Sequence, residues 1–437
     1  MPWWLLGVSM VACTFSADTP NLVADLVRTG GVANNWCWWA FLITGMVTVF
    51  IYAKLWRRSG VMTDLEFYEL RYGGKPASFL RGFRAIYLGV FFNILIMATV
   101  TLAIIKYGSL IFDGVEKWEC VLYGSIGVVI YATIGGIKGC IWADFFQYGI
   151  AMYGAIYTAY IAIGEAGKTA AAKAVETGQI AADKVADFTA NYSVTDLLAE
   201  SNVVDKINPL PDFGDWTQLI PLLIIPIAVQ WWAVWYPGAE PGGGGYIAQR
   251  MLAAKDEKNA VGATLFFNFM HYAIRPWPWI IVALASLVCF PMDSDEAQKQ
   301  AQERLQTTEF VQLAETAAGY ESIARADRTP EQQRLIREVI TVQLTAKRAS
   351  SIGNSFEHIE DESVIAQDIA YPAMVSKLKP GFLGLVIASI IAAYMSTIGT
   401  HLNWGSSYAV NDFYKRFIRK DATEAQMVRM GRTVLLF

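Results

Sequence analysis

Residues 392–403 read AAYMSTIGTHLN, at the end of an apolar run that starts near Pro380. Ser396 and Thr397 follow Ala393 by three and four residues, and Thr400 follows Ser396 by four. On a helix all of these project from one face. A small residue at Ala393 leaves its carbonyl open to a neighbour, and the hydroxyls one turn on supply further oxygens. A hard cation stripped of its water is held by a shell of such oxygens. The alternative is that these hydroxyls bond back to their own helix or let two membrane helices pack closely.

A second oxygen source lies near the start of the chain. The stretch ACTFSADTPNL places Thr14, Ser16, Asp18 and Thr19 just before Pro20, inside an otherwise apolar segment. Proline removes a backbone donor and clashes with the preceding turn, so the carbonyls near Ala12 and Phe15 are expected to lack helical partners. Unpaired carbonyls in a bilayer are tolerated where they line a cavity or bind something. A simple proline kink satisfied by a neighbouring helix is the alternative. The sixth apolar segment is also interrupted. WWAVWYPGAEPGGGGYIAQR holds Pro237, Gly238, Pro241 and the glycines 242–245, with Glu240 inside the gap. An ordinary loop there is the plainer reading. Breaks heading both halves of a chain are, however, the mark of inverted-repeat secondary transporters.

The elements that must position these residues follow from bulk properties. Of 437 residues, 54% are hydrophobic and only 17% charged, with 15 Trp, 20 Tyr and 23 Phe. A helix needs about 20 mostly apolar residues to cross a bilayer core of about 30 Å. Apolar windows bounded by charge or Gly/Pro clusters predict spans over 3–27, 34–56, 79–111, 119–136, 141–164, 217–238, 260–291 and 379–410, with a ninth beginning near Val428. The expected class is an all-α polytopic membrane protein. Its expected parts are a first five-helix repeat (1–164), an outer helical loop (165–216), spans six and seven (217–291), an outer helical insert (292–378), and span eight with the start of span nine (379–437). Lys and Arg cluster at 54–84, 138, 250–258 and 415–432, which an inside N-terminus places on the cytoplasmic side throughout. No signal peptide is expected, because the start lacks a basic region and a cleavage site.

A net charge of −4 with no basic, aromatic-interleaved patch gives no ground for a nucleic-acid partner. Five scattered cysteines without a CxxC pair argue against a zinc or redox motif; Cys37, Cys120 and Cys289 near the outer face leave one disulfide open. Arg275 lies inside span seven, where a charge costs about 2.5–3.5 kcal/mol. It is expected to face Asp18, Asp144, Glu240 or an acidic substrate, with an internal ion pair favoured. His271, one turn earlier, is expected to be a packed helix residue. Asp18 would bind a substrate amine or hydroxyl, or cap the exposed amides that follow it.

Four stretches, WWLLGVSMVACTFSADTPNL, YATIGGIKGCIWADFFQ, YIAQRMLAAKDEKNA and AAYMSTIGTHLN, resemble successive segments of the sodium:solute symporter family. The resemblance implies a LeuT-like five-plus-five inverted repeat with broken spans one and six, here incomplete, so that the chain reads as a truncated transporter. It implies a sodium site from the carbonyls of Ala12, Phe15 and Ala393 and the hydroxyls of Ser396 and Thr397. Asp144 and Thr400 would belong to a second cation site, although Gly399 replaces one hydroxyl of that pattern, and Asp144 could instead tune the first site. The solute would contact Thr14, Asp18, Thr19, Tyr236, Glu240 and Arg275. The implied protein is not an enzyme. It is a sodium-coupled symporter of a small polar organic solute in a lipid bilayer, the bacterial inner membrane, with sodium and solute as its small partners. A non-transporting membrane sensor with the same fold, and a proton-coupled transporter using Asp18 or Asp144, are the rivals.

Overall fold

Apolar sequence that must pair every backbone group inside a bilayer has one solution at these lengths, the helix. The computed structural model describes residues 1–112, 114–229, 245–321, 323, 325–359 and 364–436, and among them there is no strand. Val32–Ser59, Gly74–Ile111, Glu257–Cys289 and Pro380–Ile418 are helical runs long and apolar enough to span a membrane. They correspond to the expected spans two, three, seven and eight. Trp3–Thr14 and Trp216–Ala228 are shorter apolar helices, and they are the leading halves of the two segments expected to be broken. Span one resumes as Thr19–Gly30 after a gap at Phe15–Asp18. Pro20 stands at the start of the resumed helix, where its missing N–H costs nothing; the break therefore precedes the proline. The interruption expected in span six, with Tyr236 and Glu240, lies outside the described residues.

Spans four and five form one run, Lys117–Glu176, with a single non-helical residue, Gly136, at φ 51° and ψ −165°. That conformation is close to glycine-only. Before it, Gly124 and Gly127 face Tyr394 and Met395. After it, Cys140, Asp144, Gly154 and Tyr157 meet Asn403, Ser396, Ser389 and Phe382 in turn. The second arm thus runs antiparallel to span eight, and Gly136 is where the chain reverses.

Both stretches expected to be outer helical segments carry helices. The fifth span continues to Glu176, with short helices Val185–Asn191 and Val194–Ala199 beyond it. The insert carries Asp295–Leu305, Thr308–Glu321 and Pro330–Ala346. All five cysteines are free.

The two ends of the bundle are closed by different contacts. At one end the Met1 amine donates to the Ala253 carbonyl (2.9 Å), Arg58 pairs with Glu257 (2.9 Å), and Glu69 is clasped by Arg81 (2.8 Å) and Arg416 (2.9 Å). At the other, Trp36 bonds the Pro209 carbonyl, Lys206 the Thr29 carbonyl and Lys106 the Asp368 carboxylate. Connections expected to be cytoplasmic, those carrying Arg58, Arg81 and Arg416, meet at the first end.

Glu69 sits outside the spans, on helix Glu66–Arg71. Its bonds to Arg416, and less so to Arg81, hold the carboxyl down at about 2 against the opposing effect of burial. A depressed carboxylate adds stability above its ordinary value of 4.5, and that stability is lost as pH falls towards about 2. Thermal unfolding between pH 7 and 3 should therefore show a smaller acid-induced loss in Glu69→Gln than in the parent. Parallel profiles for the two proteins would remove this clasp from the account.

Candidate ion and solute site at the break of span one

Span eight runs unbroken through Pro380–Ser407, and Ala393, Ser396, Thr397 and Thr400 all point inward, each no more than 3% exposed. Opposite them ends the first half of span one, whose last residues are also buried. The Thr397 hydroxyl donates to the Cys13 carbonyl at 3.3 Å. Ala12, whose carbonyl accepts the Phe15 N–H at 3.0 Å, and Phe15 flank that contact. The hydroxyl face and the broken backbone, distant in sequence, are thus adjacent in space. The carbonyl that Thr397 touches is Cys13, between the two named from the sequence.

Asp144 lies behind this junction, completely buried. Its Oδ1 accepts from Ser396 (2.6 Å) and its Oδ2 from Ser9 (2.5 Å). Ser396, with its proton committed to Asp144, turns its lone pairs away from the carboxylate. Arg250 completes the group. Its Nε donates to Ser9 (2.8 Å), Nη1 to the Tyr246 carbonyl (3.1 Å), and Nη2 to Thr400 (2.8 Å), with Asp144 Oδ2 at 3.4 Å. One expectation is corrected here, and a second gains a new neighbour. Arg250 is 1% exposed and is not part of a cytoplasmic basic loop. Asp144 and Thr400 are already joined by a guanidinium. Sequence reasoning missed both Ser9 and Arg250; the only signal was the YIAQR stretch, which carries the arginine one turn after Tyr246.

Arg275 occupies the other side of the break. The chain before it is π-helical (Phe269–Ile274), and its N–H bonds the Met270 carbonyl, which accommodates Pro276 in mid-span. Its side chain donates to Thr14 (2.9 Å) and the Val11 carbonyl (3.3 Å), with His271 at 3.4 Å. The guanidinium lies 5.2 Å from the Trp279 ring and 5.9 Å from that of Phe15. Among the described residues no carboxylate pairs with it, so the internal ion pair expected with Asp18 or Asp144 is not formed. Asp18 immediately precedes the resumed helix, and its side chain makes no helix-capping bond. Thr19 begins that helix and is only half-buried. Thr14 turns towards His271 (3.0 Å) and Arg275. The packing expected of His271 holds, since it lies buried against Phe267, Tyr272 and Trp38.

Comparison with known proteins agrees with this architecture. The model of the sodium:solute symporter family matches residues 1–314 and 338–437. A sodium/glucose cotransporter of Vibrio parahaemolyticus is 22% identical, over 99% of this chain and 65% of its own length. Sodium/glucose cotransporter 1 of Oryctolagus cuniculus is 21% identical, over 100% and 56%. The sodium/myo-inositol cotransporter of Homo sapiens is 24% identical, over 100% and 52%. The chain thus spans between about half and two thirds of these relatives. A solved Na+-coupled sialic acid symporter, substrate-bound and outward-open, superposes with a TM-score of 0.63 at 18% identity, covering all of this chain and 72% of that one. The fold is the LeuT-like helical arrangement, and the chain belongs to the sodium:solute symporter family.

Proposed function

We propose that the protein is a sodium-coupled secondary transporter of a small polar organic solute, acting by alternating access in the plasma membrane. The end carrying Arg58, Arg81 and Arg416 would face the cytoplasm of a bacterial cell. The observation that carries this reading is the bond from Thr397 in span eight to the Cys13 carbonyl at the end of broken span one. Sodium would take carbonyl oxygens of Ala12, Phe15 and Ala393 and the hydroxyls of Ser396 and Thr397. Holding both spans at once, the ion favours the state in which they touch. Rocking span eight away from span one strips its shell and releases it. Coupling is then the difference in affinity of ion and solute for the two states. Membrane potential adds about 2.3 kcal/mol per charge per 100 mV.

Because Arg250 already bridges Asp144 and Thr400, it stands where a second cation would compete for the same oxygens. That placement supports a reading of one sodium per cycle. The same pairing disfavours Asp144 as a proton carrier, since protonating it would leave a buried guanidinium uncompensated. Uptake by the intact protein in proteoliposomes, with and without an inward sodium gradient, tests the coupling. Gradient-driven accumulation is expected. Equal uptake in both conditions, or accumulation driven by pH and indifferent to sodium, would overturn it.

A further inference from the structure

Among the described residues, the buried arginines Arg28 and Arg275 form no ion pair, and they differ in one respect. Arg28 is closed: Nε meets Gln367 (2.7 Å), Nη1 meets Ser286 (2.9 Å) and Nη2 meets the Phe290 carbonyl (2.8 Å). Arg275 is open, since its Nε is buried with no hydrogen-bond partner. A buried guanidinium with an unmet donor and no counter-charge among the described residues is costly. Ionisable groups within membrane segments therefore mark the places where something charged is bound or passes.

The other side of the break offers the opposite charge. One Asp18 carboxylate oxygen is buried without a partner, as are both polar atoms of the Asn21 side chain, which is 3% exposed. Asp18 and Arg275 lie within electrostatic reach of each other but form no ion pair. The aromatic rings against Phe15 also keep unpaired polar atoms. Trp279, 4.9 Å from Phe15, has a free Nε1, and Tyr148, at 6.3 Å, a free hydroxyl.

We propose that the solute is a zwitterionic amino carboxylate, its carboxylate taken by Arg275 and its ammonium group by Asp18. This rests on the transporter reading above and names its substrate class. A neutral sugar would meet hydrogen bonds but leave two buried charges uncompensated. A simple acid would neutralise Arg275 and leave Asp18, and a simple amine the reverse. A zwitterion compensates both, and Asn21 and Tyr148 remain to read the rest of the molecule.

The test is thermal unfolding of the intact protein in detergent, in sodium chloride and in choline chloride. The added probes are D-glucose, lactate, ethanolamine and a set of neutral L-amino acids. Sodium alone should raise the midpoint, and one or more amino acids should raise it further only when sodium is present. Arg275→Gln and Asp18→Asn should each weaken that second response roughly ten- to a hundred-fold in concentration, the loss of one charge-assisted contact. The sodium-only shift should survive in both and so report that they fold. Should Arg275→Gln fail to fold, Asp18→Asn and the probe set on the parent protein still decide. Glucose, lactate or ethanolamine acting as strongly as any amino acid would overturn the proposal, as would unchanged amino-acid affinity in the folded variants. Amino-acid stabilisation without any sodium shift would uphold the charge assignment and overturn the sodium reading instead.

Discussion

Replacing Ser396 and Thr397 together by alanine should abolish sodium-dependent uptake at sodium concentrations that saturate the parent. Both hydroxyls leave the face that meets span one, and neither alanine can supply an oxygen. Losing one hydrogen-bonding partner in a buried polar setting costs about 1–3 kcal/mol. Two such losses place the sodium requirement roughly a hundred-fold or more higher. The two side chains are separable. Thr397→Ser keeps an oxygen within reach of Cys13 and should retain most of the coupling. Ser396→Ala also strips Asp144 of the donor to its Oδ1, so its effect should exceed that of Thr397→Ala. The measurement is the sodium dependence of uptake in proteoliposomes, with sodium-induced thermal stabilisation as an independent readout. An unchanged half-saturating sodium concentration in the double variant would remove the ion from the span one–span eight junction.

What could be read in advance follows the range of the interactions involved. The inward face of span eight was legible because helical periodicity is local: residues three and four apart share a side whatever the rest of the chain does. The break in span one was legible from Thr14, Ser16, Asp18 and Pro20, although the structure moves the gap to Phe15–Asp18 and makes the proline the start of the next helix. The reversal between spans four and five is expected between residues 136 and 141, around Lys138, but its confinement to Gly136 is a backbone property that composition does not display. Arg250 was misplaced for a definite reason. It follows a glycine run and precedes Lys255 and Lys258, so a rule based on neighbouring charge assigns it to the inner surface. Its partner Asp144 is 106 residues away, and nothing local links the two. The same holds for Arg28, which reaches Gln367 in the outer insert, and for Lys106 on Asp368. These contacts tie the insert to spans one and three, where the sequence shows only a charged helical cap. Arg275 is expected to face Asp18, Asp144, Glu240 or an acidic substrate; among the described residues it meets neutral oxygens and aromatic faces, and Glu240 lies outside them.

Removing either charge of the Asp144–Arg250 pair should destabilise the protein by about 3–5 kcal/mol, the range for one partner left charged and buried. Every nitrogen of Arg250 is engaged and both oxygens of Asp144 accept a hydroxyl, so neither group has water to fall back on. Asp144→Asn leaves the guanidinium uncompensated, and Arg250→Gln leaves the carboxylate uncompensated. The double variant removes both charges and keeps two amide side chains of similar shape. It should therefore be more stable than the sum of the singles implies, with a coupling of about 1–3 kcal/mol in a double-mutant cycle. Denaturant or thermal unfolding in detergent reads this, and single variants within about 0.5 kcal/mol of the parent, the ordinary range for surface changes, would sink it. Sodium binding separates a structural pair from a pair that shapes the ion site. If Arg250 acts as a fixed cation beside the sodium shell, Arg250→Gln should bind sodium more tightly despite its lower stability, because Asp144 then faces the junction with its charge uncompensated. Asp144→Asn should bind it more weakly. Opposite shifts in sodium affinity from two variants that both destabilise the fold cannot come from loosening alone, and shifts of the same sign would reduce the pair to packing.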